Sequence, residues 1–194
     1  MKASIRLRLY KAVGYITDPP QEVVFSPQAP RPRRVLFLFP LQKQLLAESR
    51  YVVRRLRRYL GRNEIYLAIS SIHRDLISCS SHSAFYFPMH PNDPTRIQMD
   101  VMLARFRNQT FDAVINLDPE LNFQIARVMS VINTSRRIGL SGPHAEELYN
   151  IHIHADPNQP LSKAYAQMLK LCDLGPPNDR PGTQPSAHYK GKRP

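Results

Sequence analysis

Apolar residues fall into two rhythms along this chain, and their alternation predicts its architecture. Short unbroken apolar runs, bounded by charges, prolines or glycines, read as strands buried on both faces. They are "RVLFLF" at 34–39, "EIYLAIS" at 64–70, "AFYF" at 84–87, "DAVINL" at 112–117, "RRIGL" at 136–140 and "YNIHIHA" at 149–155. Between several of them the apolar positions recur near every 3.6 residues, which predicts helices. Residues 41–60 carry the stripe Leu45, Leu46, Val52, Val53, Leu56 and Leu60, with Gly61 as C-cap. A helix is expected from Thr95 to Arg107 on Ile97, Val101, Leu103 and Ala104. Another is expected from Pro119 to Ile132, with Asp118 as N-cap and Pro119 in the first turn. "LSKAYAQMLKLCDLG" closes the pattern as a helix ended by Gly175. The expected fold is therefore α/β: one Rossmann-like, doubly wound, mainly parallel sheet of about five or six strands. Ligands of such sheets bind beyond the carboxyl ends of the strands.

Composition changes this picture at the two ends. The chain has 194 residues, 42% of them hydrophobic, enough for one domain with a real core. Eighteen prolines stand against seven glycines, and the prolines gather in 17–33, in 88–94 and after Gly175. This divides the chain into a basic extended N-terminal segment with a Pro-rich connector (1–33), an α/β domain (34–175) and a Pro-rich basic tail (176–194). No internal repeat is present.

Charge sharpens the division. Of the net +12, residues 1–62 supply +11, with fourteen Lys/Arg against three Asp/Glu. Residues 63–175 are near neutral at −2, and the tail adds +3. Such asymmetry points to a polyanion, either nucleic acid or an anionic membrane surface. "RYVVRRLRRYLGR" is the densest element: Arg50, Arg54, Arg57 and Arg58 share one helix face, opposite Val53, Leu56 and Leu60. Like charges one turn apart repel, which argues for a partner that offsets them. All six basic residues from Arg50 to Arg62 are arginines, suited to bidentate phosphate contacts, and Tyr51 and Tyr59 are placed to stack on bases. The candidate RNA-binding set is Arg6, Arg8, Lys11, Arg31, Arg33, Arg34, Arg50, Arg54, Arg57, Arg58, Arg62, Lys190, Lys192 and Arg193.

The candidates for catalysis are weaker. Asp118 and Glu120 follow a strand end, where catalytic carboxylates often lie, but no second carboxylate is placed to complete an acid–base pair, and N-cap and first-turn roles are the expected reading. "HRD" at 73–75 matches a kinase loop without its companion motifs. Neither GxGxxG nor GxxxxGK[ST] occurs, so no phosphate-cradling loop and no cofactor is expected; only Gly139 and Gly142 lie near a ligand edge. His152, His154 and Asp156 fall on one strand face and form the nearest approach to a metal set, though metal binding is not the expected reading. Cys79 and Cys172 have no CxxC spacing, which favours a reducing compartment, the cytoplasm. The start "MKASIRLRLYKAVGYI" is no secretory signal, since Arg6, Arg8 and Lys11 interrupt it; an organelle transit peptide is the minor alternative. No run approaches the roughly 18 apolar residues of a membrane span.

From Arg34 to Gly175 the chain resembles the N-terminal half of heptosyltransferase-type glycosyltransferases of family 9, which have the GT-B fold. The resemblance lies in "RVLFLFP", "FDAVINL", "RRIGL" and "YNIHIH…LSKAYAQMLKLCDLG". It implies half of a GT-B fold. The family carries a Gly-Asp pair after its first strand, the Asp acting as base; here the loop reads "PLQKQLLAES", and Glu48 falls inside a helix. The family also needs a second domain for its sugar-nucleotide donor, for which the residues after Gly175 are too few and too polar. The expected function is therefore non-catalytic binding to RNA or a ribonucleoprotein such as the ribosome, with 111–142 kept as scaffold. The alternatives are a glycosyltransferase-like subunit working with a separate donor-binding chain, and association with a membrane surface.

Overall fold

The computed structural model describes residues 3–19, 32–56, 64–77 and 84–172. Among these, the strands are β1 (Arg34–Leu38), β2 (Glu64–Ser70), β3 (Ala84–Phe87), β4 (Met89–His90), β5 (Asp93–Ile97), β6 (Ala113–Asn116), β7 (Arg137–Leu140) and β8 (Ile151–Ile153). The helices are α1 (Ala3–Ala12), α2 (Lys43–Leu56), α3 (Met99–Phe106), α4 (Phe123–Val131), α5 (Ala145–Leu148) and α6 (Leu161–Leu171), with a 3-10 turn over Ser71–Leu76. Six strands form one parallel sheet in the order β3-β2-β1-β6-β7-β8. Counting only the strands of that sheet, the order is 3-2-1-4-5-6, the Rossmann order. The expected doubly wound α/β fold is what the chain adopts.

The register follows from burial. β1 pairs on both sides, Val35 lying opposite Ile65 and Ala113. All four of its apolar residues are buried, because helices cover both faces of the sheet. Val35, Phe37 and Phe39 pack against α2 and α6, with Leu46, Val52, Leu56, Tyr165 and Met168. Leu36 and Leu38 pack on the other face, with Leu7 of α1, Met102 and Phe106 of α3, Ile125 and Met129 of α4 and Leu148 of α5.

Four elements differ from the sequence reading. The N-terminal segment is a helix, not an extended arm. Leu7 and Ile16 are buried, and the Tyr10 ring meets Phe123 of α4 edge-on at 5.4 Å. Arg137, itself buried, donates to the carbonyls of Thr17 (3.1 Å) and Asp18 (3.0 Å), holding the segment against β7. The helix expected from Thr95 starts later, at Met99, because Thr95 belongs to an antiparallel hairpin of β4 and β5. Gln124 of α4 acts there as a substitute strand, accepting from Ile97 N–H (2.7 Å) and donating to Thr95 C=O (3.0 Å). The helix expected from Pro119 starts at Phe123; its N-cap is Asn122, whose side chain accepts from the N–H groups of Gln124 and Ile125, and not Asp118. The last strand is shorter, Ile151–Ile153, since Tyr149 is the C-cap of the short helix α5, with its side chain buried in the core. Gly61, Gly175 and the tail 176–194 lie outside the described residues.

Candidate functional site

The chain leaves β1 toward one edge and returns to β6 on the other side, so the topological switch lies between their carboxyl ends. Among the described residues one hydrogen bond spans that crevice, and a second contact braces the loop after β1. Gln42 Nε2 donates to Glu120 Oε2 across it at 2.9 Å, and His73 Nε2 contacts the Leu41 carbonyl at 3.0 Å. His73 of the "HRD" run thus braces the loop after β1. Arg74 lies over the Tyr86 ring at 4.3 Å, and Asp75 is exposed.

Among the described residues, open space is found one strand along. A cleft of about 340 Å³ sits at the carboxyl ends of β6 and β7. Asp118, Glu120, His144 and Tyr149 bring its chemistry, and Leu121, Leu140, Pro143, Ala145 and Leu148 form apolar walls. Asp118 is only 3% exposed. Its Oδ1 accepts from Glu120 N–H at 3.0 Å in a turn of the kind Asp readily forms. Burial pushes its pKa up to about 6; the Glu120 N–H bond opposes that rise, and the charge of Glu120 adds to it. A carboxyl that titrates near neutrality can hold or release a proton at ordinary pH. Behind it, Asn116 Nδ2 donates to Tyr149 Oη at 2.8 Å and Asn116 Oδ1 accepts from Asp118 N–H. Burial pushes the Tyr149 hydroxyl up to about 12.

Backbone strain marks the rim. His144 has φ of 70°, the left-handed region that costs a non-glycine residue roughly 1–2 kcal/mol. Its Nδ1 lies 2.8 Å from Glu147 Oε1, and Lys11 Nζ lies 3.3 Å from Glu147 Oε2. The His144 contact and then Lys11 hold the Glu147 carboxyl below the usual range. No protein-family model matches this chain, and no curated protein matches it. Its site is therefore read from geometry alone.

The metal candidates do not assemble. His152 in β8 and His154 just beyond its end are both exposed, but Asp156 Oδ1 instead accepts from Asn158 N–H at 2.8 Å. Among the described residues no three His, Cys, Asp or Glu side chains are grouped to hold a metal ion. Glu48 is exposed within α2.

The basic candidates are divided by the sheet. Arg6, Arg8 and Lys11 lie on α1, and Arg50 and Arg54 on α2, which covers the opposite face. Several are engaged internally. Arg6 lies over the Phe123 ring at 4.6 Å, Lys11 pairs with Asp18 and Glu147, and Arg34 pairs with Glu64 at 2.9 Å. Arg50 Nε donates to the Leu76 carbonyl at 2.8 Å. Arg8, Arg33 and Arg54 are exposed. Arg31, Arg57, Arg58, Arg62, Lys190, Lys192 and Arg193 lie outside the described residues. Sequence reasoning missed Asn116, His144 and Tyr149. Asn116 did carry a signal, as a polar residue within a buried apolar run, which must find a partner.

Proposed function

We propose that this domain binds RNA, as part of a ribonucleoprotein, through the outward face of α2, and that it does no chemistry on its own. The observation that carries this reading is the state of the α2 arginines. Among the described residues, Arg50 and Arg54 stand one turn apart on α2, both exposed and neither with an acidic partner, and Arg55 beside them has none either. Exposed guanidinium groups one turn apart on a helix, not neutralised by the protein, suit successive phosphates. Arg55 already lies over the Tyr51 ring at 5.3 Å, a platform of the kind on which a base can stack. The loop after β1, where the resembled enzymes keep their base, is instead tied to His73 and Glu120, which supports a binding role.

Salt titration of the full chain against a single-stranded RNA tests this. About six to eight phosphate contacts would lower affinity on the order of a thousandfold between about 50 and 200 mM salt. Arg54→Ala is expected to reduce the slope of log K against log salt by roughly 0.7–0.9, with the melting temperature unchanged. RNA affinity that is flat with salt, or an Arg54→Ala chain that binds with the parent's slope, overturns the reading. So does preference for vesicles of anionic lipid over RNA.

A further inference from the structure

We infer that the cleft at the carboxyl ends of β6 and β7 is a binding site for a primary alkylammonium group, with Asp118 and Glu120 as its anionic partners. Four observations converge. The first is charge: among the described residues the cleft contains two carboxylates and neither lysine nor arginine, in a chain of net charge +12. The second is unused hydrogen-bonding capacity. The Asp118 side chain lines the cleft, and among the described residues Glu120 N–H donates to its Oδ1 and no donor reaches its other oxygen. Tyr149, 7% exposed, receives a hydrogen bond from Asn116 at its hydroxyl, and its own hydrogen has no acceptor among the described residues. Buried polar groups normally satisfy both demands internally.

The third observation is shape. Leu121, Leu140, Pro143 and Leu148 give the remaining wall an aliphatic character, which suits methylene groups behind the ammonium head. The fourth concerns the kind of cation. Two carboxylates without a third ligand do not meet the six or so oxygens that a hard divalent ion takes. An ammonium with three N–H donors needs only two or three acceptors. Glu120 keeps its contact to Gln42 through Oε2 and has Oε1 for the ligand. Burial's upward push on Asp118 also fits a carboxylate that lacks its cation.

Isothermal titration of the full chain at pH 7.5 with butylammonium, and in parallel with neutral 1-butanol and with tetramethylammonium, tests the site. Butylammonium should bind saturably with a Kd on the order of 1 mM, in line with its few heavy atoms. The alcohol lacks the charge and the quaternary ion lacks the N–H donors, so both should bind at least about tenfold more weakly. Asp118→Asn should weaken butylammonium at least about tenfold while still melting cooperatively, and Glu120→Gln should weaken it severalfold. Equal behaviour of the three probes, no saturation by butylammonium, or unchanged affinity in both folded variants overturns the assignment. Asp118→Asn and Glu120→Gln leave the α2 arginines in place, and Arg54→Ala leaves the cleft residues in place, so the two readings are tested by separate variants.

Discussion

Asp118 shows how a single side chain changes meaning once its surroundings are known. Next to a helix start it looks like a cap; in the fold it is a buried carboxyl whose pKa is raised to about 6. A raised acid favours the native state only while it keeps its proton. Its contribution is full below the unfolded value near 3.8, falls as pH climbs toward about 6, and is flat above. Asp118→Asn is therefore expected to match the parent near pH 3.5 and exceed it by about 2–3 kcal/mol at pH 8, in urea unfolding at each pH. A parent chain as stable as the variant at pH 8 would contradict this. Gly139 carries a steric constraint instead. A Cβ there would lie 2.4 Å from the Tyr149 ring, which is buried and cannot withdraw. Gly139→Ala should cost at least about 2–3 kcal/mol. In a Tyr149→Ala background its added cost should be smaller, since the colliding ring is gone. Equal costs in the two backgrounds would show that the ring is not the cause.

The element that most alters the picture is α1. Its composition reads as a basic arm, and Ile5, Leu9 and Val13 do remain exposed. One fully buried residue is enough to dock it: Leu7 packs into the core on the face covered by α4. The contact continues through Tyr10 on Phe123, Thr17 on Ser130, and Arg137 on the carbonyls that follow the helix. Leu7→Ala should destabilise the domain by roughly 2–5 kcal/mol, whereas Leu9→Ala on the exposed side should stay within about 0.5 kcal/mol. Similar melting temperatures for the two variants would mean that the helix does not pack on the domain. The same reasoning explains the late start of α4. Asn122 offers one oxygen to two N–H groups, a closer fit to the N-cap requirement than Asp118, whose side chain is occupied by Glu120 N–H.

At the scale of the molecule, the central position of β1 and β6 has a measurable consequence. Each is paired on both sides and covered on both faces, while β3 and β8 stand at the edges of the sheet. The slowest amide exchange is expected within Arg34–Leu38 and Ala113–Asn116, at rates that report global unfolding. Ile151–Ile153 should exchange faster through local opening. Slower exchange in β8 than in β1 would contradict the strand order. The sheet also separates the basic residues of α1 from those of α2. An RNA that contacts both must pass around an edge of the domain, so the α2 face is the unit on which the proposed binding rests.

Periodicity alone determined the alternation of strand and helix, and with it the parallel, doubly wound sheet. The reason is physical: a strand covered on both faces must be apolar at every position, and a covering helix on one stripe only, so both leave a local signature. Val35 to Phe39 and Leu46 to Leu56 were legible for that reason. What the tertiary structure decided were the features that depend on partners distant in sequence. Thr95 is a strand residue because Gln124 satisfies its backbone group, and the Tyr149 ring is buried where Gly139 leaves room for it. The cleft is of the same kind. Asp118 and Glu120 were visible as an acidic turn, but His144 and Tyr149 join them only when β7 lies beside β6. Burial, which raises the Asp118 pKa, is a property of that assembly and not of any local run of residues.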